Sequence, residues 1–377
     1  MRDKTSVLAL ASLIGTVIGA GVFGIPYVMA KSGVAFCLFY FLVLGAVVLV
    51  LHLFFGEIIL RTKQKHRLIG YAEKYLGKKA KLLVSFSTIF GTIGSLLAYI
   101  ILNNNFLEII LPSSINPLYI GLILWAILSF FVFSGIRLIS QVQFLMSICF
   151  FGAIFYIFFH ALPEININNF ILANPKYIFL PYGVILFSLV GWNAIPGVVN
   201  ILDEKKNLKK VILRATIICA CFYFLFGLFI SGVTGSSTTQ EAFQGLIPFL
   251  GQKVMLLGAV FGIFTVSTSF LTSANYLKNT LIFDYKIPFF ISFNLVIFIP
   301  LVLFLIGIRQ FILVIAFIGI FMGLVDGTVI SLIYQKAKKY GDRVPEYSLN
   351  IPKYIFYSII IILFFGAFIE IIKYFVR

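Results

Sequence analysis

Two glycine- and proline-marked stretches and one acid in this chain have the types and spacing to do chemistry in an apolar setting. The first stretch, Gly15-Thr16-Val17-Ile18-Gly19-Ala20-Gly21-Val22-Phe23-Gly24-Ile25-Pro26, lies in the first hydrophobic run. In a helix interior Gly costs about 1 kcal/mol and Pro about 3 kcal/mol against Ala, so the run reads as a broken helix. The second stretch, Gly191-Trp192-Asn193-Ala194-Ile195-Pro196-Gly197, repeats the device. At such a break the half-helix that follows starts with free N–H groups, which favour an anion. The half that precedes it ends in free carbonyls, which favour a cation. A molecule carrying a carboxylate and an ammonium on one carbon matches that pair. The candidate binding residues are Ile18, Gly19, Ala20 and Gly21 from the first stretch, and Ser188, Gly191, Trp192 and Asn193 around the second. Backbone atoms would carry most of the polar work. Phe187 and Trp192 would wall the pocket, with plain packing the alternative for both in a chain holding 44 Phe.

Other polar groups sit deep in hydrophobic runs. Thr265, Thr268, Ser269 and Thr272 follow helical spacing and share one face. With Thr16 and carbonyls at the first break they form a candidate site for Na⁺, a hard cation that seeks oxygen. The alternative is that each hydroxyl bonds a carbonyl one turn back. Asp326 is an acid well inside an apolar run, beside a ridge of Gly319, Gly323 and Gly327. A carboxylate at such depth is costly and is a functional candidate by default, here as a proton carrier, the alternative being a structural hydrogen bond. Glu57 and Asp284 lie at run ends and read as contacts to basic segments, and Glu370 as an interfacial residue. His52 and His160 read as satisfied core histidines. The four cysteines, Cys37, Cys149, Cys219 and Cys221, have no metal-ligand or disulfide spacing and read as small hydrophobes.

The elements that must hold these residues are helices crossing a bilayer. The 377 residues are 61% hydrophobic and 11% charged, with mean hydropathy +1.08. At about 20 apolar residues per span, eleven spans are expected: 7–30, 34–60, 82–103, 118–135, 142–161, 179–201, 211–233, 252–280, 287–307, 311–334 and 354–376. The net charge of +16 resides between spans, which makes it a topology signal and not a nucleic-acid footprint. With the N-terminus inside, all but six of the 29 basic residues fall on the inner side. The six are Lys31, Lys176, Lys253, Arg309, Lys373 and Arg377. A multi-pass protein of the cytoplasmic (inner) membrane with N-terminus inside and C-terminus outside follows. Among the outer loops, 104–117 and 162–178 are rich in Asn and Pro, and 234–251 has room for a short helix over an entrance.

The two interrupted spans stand first and sixth. Five spans per half forces the halves into opposite orientation, giving an inverted repeat of 1–161 and 162–334, with 335–377 holding a cytoplasmic loop and an extra span. Paired interrupted spans in inverted halves are the best sequence pointer to a secondary-transporter site at the midplane. The expected function is cation-coupled transport of an amino acid by alternating access. A polyamine or nucleobase carrier is the rival, though a polyamine site would want acids near the breaks. A sensor that binds without transporting is a further alternative. A membrane enzyme would want paired carboxylates or an Asp/His cluster, and Glu57 with His52 and His66 is too sparse. No catalytic residue, transition metal or organic cofactor is expected; the coupling ion is Na⁺ or H⁺.

The chain resembles the amino acid permeases of the amino acid–polyamine–organocation superfamily, most nearly their aromatic amino acid and auxin-permease-like branch. The resemblance rests on the first stretch, on Glu57-x-x-Leu60-Arg61-Thr62 leading to His66-Arg67 and Gly70-Tyr71-Ala72, and on Ile195-Pro196 followed by Lys205-Lys206-x-Leu208-Lys209-Lys210. Thr268-Ser269-Phe270-Leu271 and Gly341-Asp342-Arg343-x-Pro345-Glu346-Tyr347 add to it. It covers nearly the whole chain. It implies an all-α polytopic membrane protein of the leucine-transporter fold: a 5+5 inverted repeat, discontinuous helices 1 and 6, and one extra helix. It also implies ion-coupled uptake of amino acids such as aromatic or other neutral ones. Thr268 and Ser269 match the positions that bind Na⁺ in some relatives. Other relatives are proton-coupled, some through a fifth-span lysine that this chain lacks.

Overall fold

The computed structural model describes residues 4–112, 114–134 and 152–375, with side chains of the last helix described to 369. Helices follow the hydrophobic runs. The first run is two helices, α1 (Lys4–Val17) and α2 (Gly21–Ser32), bent by 58° where the glycines cluster. Then come α3 (Val34–Arg61), a short α4 (Leu68–Leu76), α5 (Lys78–Ile110), α6 (Pro117–Ser134) and the described end of α7 (152–161). The sixth run again divides, into α8 (Leu180–Leu189) and α9 (Ile195–Ile201), joined by a 3-10 turn at Trp192–Ala194. After it follow α10 (Leu208–Thr234), α11 (Ile247–Leu250), α12 (Gln252–Phe283), α13 (Phe289–Leu305), α14 (Phe311–Tyr340) and α15 (Lys353–Phe375).

Among the described residues, seven helical stretches are long and apolar enough to cross a membrane, and the bent pair α1–α2 makes eight. Helix α13 and the Lys353–Ile369 part of α15 are apolar but shorter. Half of the expected fifth span, 142–151 of 142–161, lies outside the described residues, as do Cys149 and the side chain of Glu370. Large apolar side chains such as Leu42, Leu82, Phe130, Phe155 and Phe365 point outward from the bundle, as a lipid-facing surface requires.

Packing pairs corresponding elements of the two halves. Helix α3 lies along α10, α5 along α12, and α2 against α8. A short helix follows the second span of each half, α4 in one and α11 in the other. Helix α14 seals one side by crossing α8 where both backbones are bare. A Cβ on Gly319 would stand 2.1 Å from the Gly183 carbonyl oxygen, and one on Gly183 would stand 2.4 Å from the Ala316 carbonyl oxygen. Close approach through small residues is how helices pack where lipid supplies no hydrophobic drive between them.

The polar loops close helix ends. Asn169 donates from Nδ2 to the carbonyls of Gly232 (2.8 Å) and Val233 (2.9 Å), quenching the C-terminal turn of α10. The first amides of α3 reach the carbonyls of Ile171 and Leu172, each at 2.9 Å. Segment 234–251 holds only short turns and α11, and it buries Phe243.

Two motifs quoted for the family resemblance turn out to be halves of one joint. The segment 342–349 lies as a strap across the end of α3. Fully buried Glu57 pairs with Arg61 at 2.7 Å and accepts from Ser348 Oγ (3.0 Å) and the Leu349 amide (2.7 Å). The Arg61 carbonyl takes the Asp342 amide at 2.8 Å, and Tyr347 donates to the Leu53 carbonyl at 2.7 Å. Asp342 also grips Lys74 of α4 and accepts from the Lys63 amide.

Two outcomes are expected. Gly319→Ala overpacks the α8–α14 crossing and lowers stability by about 1–3 kcal/mol, read as a fall in thermal midpoint in detergent. The Lys74 and Lys63 contacts hold the Asp342 carboxyl below its ordinary value. Its tie to α4 is therefore complete above the ordinary carboxylate range and is lost only as pH falls through the lowered value. Amide exchange across 341–349 should accelerate only below about pH 4.

Candidate functional site

The two breaks face each other. Gly21, at the start of α2, meets the last turn of α8 so closely that a Cβ would lie 2.3 Å from Ser188 Oγ and 2.8 Å from Ser188 Cα. Beside this contact opens a cavity of about 420 Å³, walled by both breaks and by faces of α5, α12 and α14. Its volume falls within the roughly 300–1,000 Å³ usual for small-molecule sites. Thr16, Asn193 and Gly197 are exposed while Gly21 and Ser188 are buried, so the mouth lies toward α1 and α9. On the opposite side Phe23 packs edge-on against Phe106 and Phe243, which lie tilted to each other, with centroids 4.9–5.7 Å apart and all three buried.

The break of the first span presents amides and carbonyls as the sequence predicts. Val22 and Phe23 donate back to Gly19 and Ala20, each at 3.2 Å, while the amides of Ala20 and Gly21 donate to no backbone carbonyl among the described residues. Tyr223 of α10 spans the gap. Its hydroxyl donates to the Val17 carbonyl at 2.7 Å and faces the Gly19 amide. The break of the sixth span has an equivalent clamp from α3. His52 Nε2 accepts the Gly191 amide at 3.1 Å, and its Nδ1 lies 3.2 Å from Thr216 Oγ1 of α10. Since Nε2 accepts, the proton sits on Nδ1, which donates to Thr216. His52 is thus a satisfied core histidine, and what satisfies it is the break itself. Tyr223 carries no local signal that would single it out among 18 tyrosines.

Of the residues singled out by sequence, Thr16, Gly19, Ala20, Gly21, Ser188, Gly191 and Asn193 line the cavity, as does Phe187. Ile18 and Trp192 do not line it and are buried behind it. Ser188 Oγ is engaged with the Val184 carbonyl at 2.8 Å, so its share of the site is backbone. The hydroxyl stripe divides. Thr272 borders the cavity together with Ser273 and Tyr276, whereas Thr265, Thr268 and Ser269 lie farther along α12. Thr268 and Ser269 both donate to the Thr265 carbonyl, at 2.9 and 3.0 Å, and Thr16 donates to the Ser12 carbonyl at 2.8 Å. Their protons are spent on their own helices, which leaves oxygen lone pairs as the only groups they could offer a cation. Asp326 lies outside the cavity, fully buried.

Sequence reasoning did not foresee the floor of the site or the end bordered by α4. Met322 of α14 rests on the bare backbone of Gly91 in α5, where a Cβ would meet its sulfur at 2.3 Å. Arg67, from the His66-Arg67 pair, stacks over the Tyr276 ring at 4.6 Å and donates to Thr280 Oγ1 at 2.7 Å, tying α4 to α12 beside the cavity.

Two discontinuous helices meeting at a central cavity, within paired halves, define the leucine-transporter class of membrane carriers. In keeping with this, the structure aligns with the crystal structure of MhsT in complex with L-phenylalanine over 97% of this chain and 98% of that one. The TM-score is 0.64 at 14% sequence identity, a likeness of fold. The chain belongs to the tryptophan/tyrosine permease family, which it matches over residues 3–373. A curated relative, the tyrosine-specific transport system 1 of Haemophilus influenzae, is 26% identical over 259 residues, covering 68% of this chain and 63% of that protein.

The clamps generate a prediction. Tyr223→Phe leaves the Val17 carbonyl buried without a donor, and His52→Leu does the same to the Gly191 amide. Each should cost about 1–3 kcal/mol at its break and weaken ligand affinity by about tenfold or more. Titration of purified protein with amino acids by thermal shift reads this, and His52→Gln, which retains an acceptor, should recover part of the loss.

Proposed function

We propose that the protein is a secondary active transporter of aromatic or other neutral amino acids, coupled to a Na⁺ or H⁺ gradient and working by alternating access. The observation that carries this reading is the cavity at which both helix breaks converge. The substrate carboxylate binds the amides of Ala20 and Gly21, which reach no backbone carbonyl among the described residues, at the positive end of α2. The ammonium binds carbonyls at the ends of α1 and α8, near Ile18 and Ser188. The side chain extends between Phe187 and the α5 and α14 walls, over Gly91 and Met322. The tyrosine transport of the Haemophilus relative and the L-phenylalanine bound to MhsT support an aromatic side chain there.

The orientation is N-terminus inside, in the cytoplasmic membrane, on the strength of the basic-residue bias. The cavity mouth at α1 and α9 then faces the cytoplasm, and the Phe23–Phe106–Phe243 cluster is the closed outer gate. Thr268 and Ser269, with Thr265 and Thr16, are the candidate oxygen donors should the ion be Na⁺, and Asp326 is the candidate carrier should it be H⁺.

The test is uptake of radiolabelled tyrosine, tryptophan and phenylalanine into proteoliposomes under imposed Na⁺ or pH gradients, with unlabelled competitors including polyamines and nucleobases. Accumulation of at least one aromatic amino acid, inhibited by amino acids alone, is expected. Absence of both uptake and counterflow for every amino acid would sink the reading.

A further inference from the structure

Just beyond the cavity floor lies a polar cluster that no substrate contact explains. Asp326 of α14 is 1% exposed, Ser87 of α5 is 0% exposed, and Trp192, in the turn between α8 and α9, is 0% exposed. Asp326 stands one helical turn below Met322, and Ser87 one turn below Gly91, so the Met322–Gly91 contact screens the cluster from the cavity. The Ser87 and Trp192 side chains face the Asp326 carboxyl. Yet Asp326 Oδ1, Ser87 Oγ and Trp192 Nε1 have no partner within hydrogen-bonding geometry. Among the described residues Asp326 has no ion pair.

Building on the transport reading, we propose that Asp326, Ser87 and Trp192 form a proton-binding site beneath the substrate cavity, whose occupancy is sensed by the break of the sixth span. A carboxylate at this depth with no counter-charge is too costly to stay ionised unaided, so the cluster takes up a cation. The donor set selects which one. A hard metal ion asks for oxygen on every side, whereas the indole offers only an N–H, a donor that turns its positive end to the carboxyl. A proton suits that set. The protonated carboxyl is neutral and leaves the indole unengaged; the ionised carboxylate draws the Trp192 N–H and the Ser87 hydroxyl onto itself. Only an O–H bond is made or broken, and the proton comes from water on one side and returns to water on the other.

Trp192 connects this event to the substrate. Its chain neighbours Gly191 and Asn193 line the cavity, and its ring packs edge-on against His52 at 6.2 Å. His52 in turn holds the Gly191 amide. A shift of the indole toward Asp326 therefore pulls directly on the backbone that binds substrate. The other titratable groups around the cluster are His52 on α3, already committed to Gly191 and Thr216, and Tyr276 on α12. Tyr276 carries the Arg67 guanidinium over its ring at 4.6 Å.

Trp192 is one of two tryptophans, so a Trp125→Phe background, excited where tyrosine does not absorb, makes it the sole tryptophan reporter beside the proposed site. Its emission should titrate with pH in that background, and the titration should vanish in Asp326→Asn. In proteoliposomes a pH gradient of about one unit should support about tenfold tyrosine accumulation by the parent protein, for one proton per substrate. Asp326→Asn should show none while retaining tyrosine counterflow, which also certifies its fold. An unchanged fluorescence titration in Asp326→Asn, its persistent proton-driven accumulation, or loss of counterflow together with accumulation would each overturn the proposal. The fluorescence arm needs no substrate. A parent protein without uptake or counterflow would defeat the transport reading alone, and the titration would still decide the proton site.

Discussion

In hydrocarbon a backbone group that leaves its helix has no water to turn to, and the rest of this structure depends on how that constraint is met. Two spans are broken, and each break is held by a side chain from another helix: Tyr223 on the Val17 carbonyl, His52 on the Gly191 amide. The remaining exposed amides and carbonyls are left to the cavity. The division is what makes a site. Too many internal partners would leave nothing to bind a ligand, and too few would let the broken spans unravel.

The side chains of these clamps group in a way that matters for movement. His52 is on α3 and Tyr223 on α10, which lie side by side, and Thr216 of α10 holds the far nitrogen of His52. Both broken spans are thereby fastened to one pair of helices. The walls from α5 and α12 belong to the other side of the cavity, while α14 stays locked to α8 at Gly319 and Gly183. The breaks can thus keep their geometry while the two groups of helices shift against each other, which is what alternating exposure of one site demands. The strap at 342–349 ties the segment after α14 to the end of α3 and so holds α14 with the helices that carry the clamps.

What was legible in the sequence was local. Gly and Pro announce a broken span wherever they fall, because their cost in a helix is paid on the spot. Gly19, Ala20, Gly21, Gly191 and Asn193, which line the cavity, are marked that way. The pairing of each break with its partner is not legible, since His52 lies 139 positions from Gly191 and Tyr223 lies 206 from Val17. Ile18 and Trp192 show a second limit. In a break, consecutive residues point in unrelated directions, so adjacency in sequence did not bring them to the cavity. The stripe on α12 was readable as a face, but whether its hydroxyls donate to their own helix is set by geometry that composition does not carry. Asp326 was visible as an isolated acid, whereas Ser87, a serine in a long apolar helix, carried no mark.

The seal opposite the cavity mouth is made of the rings of Phe23, Phe106 and Phe243, with no charge among them. Breaking an ion-paired gate would respond to salt and acid; parting three rings responds to neither directly. It wets apolar surface, and wetting apolar surface raises heat capacity. The balance between the two faces of this carrier should accordingly bend with temperature, so that warming and cooling do more to redistribute its conformations than ionic strength does.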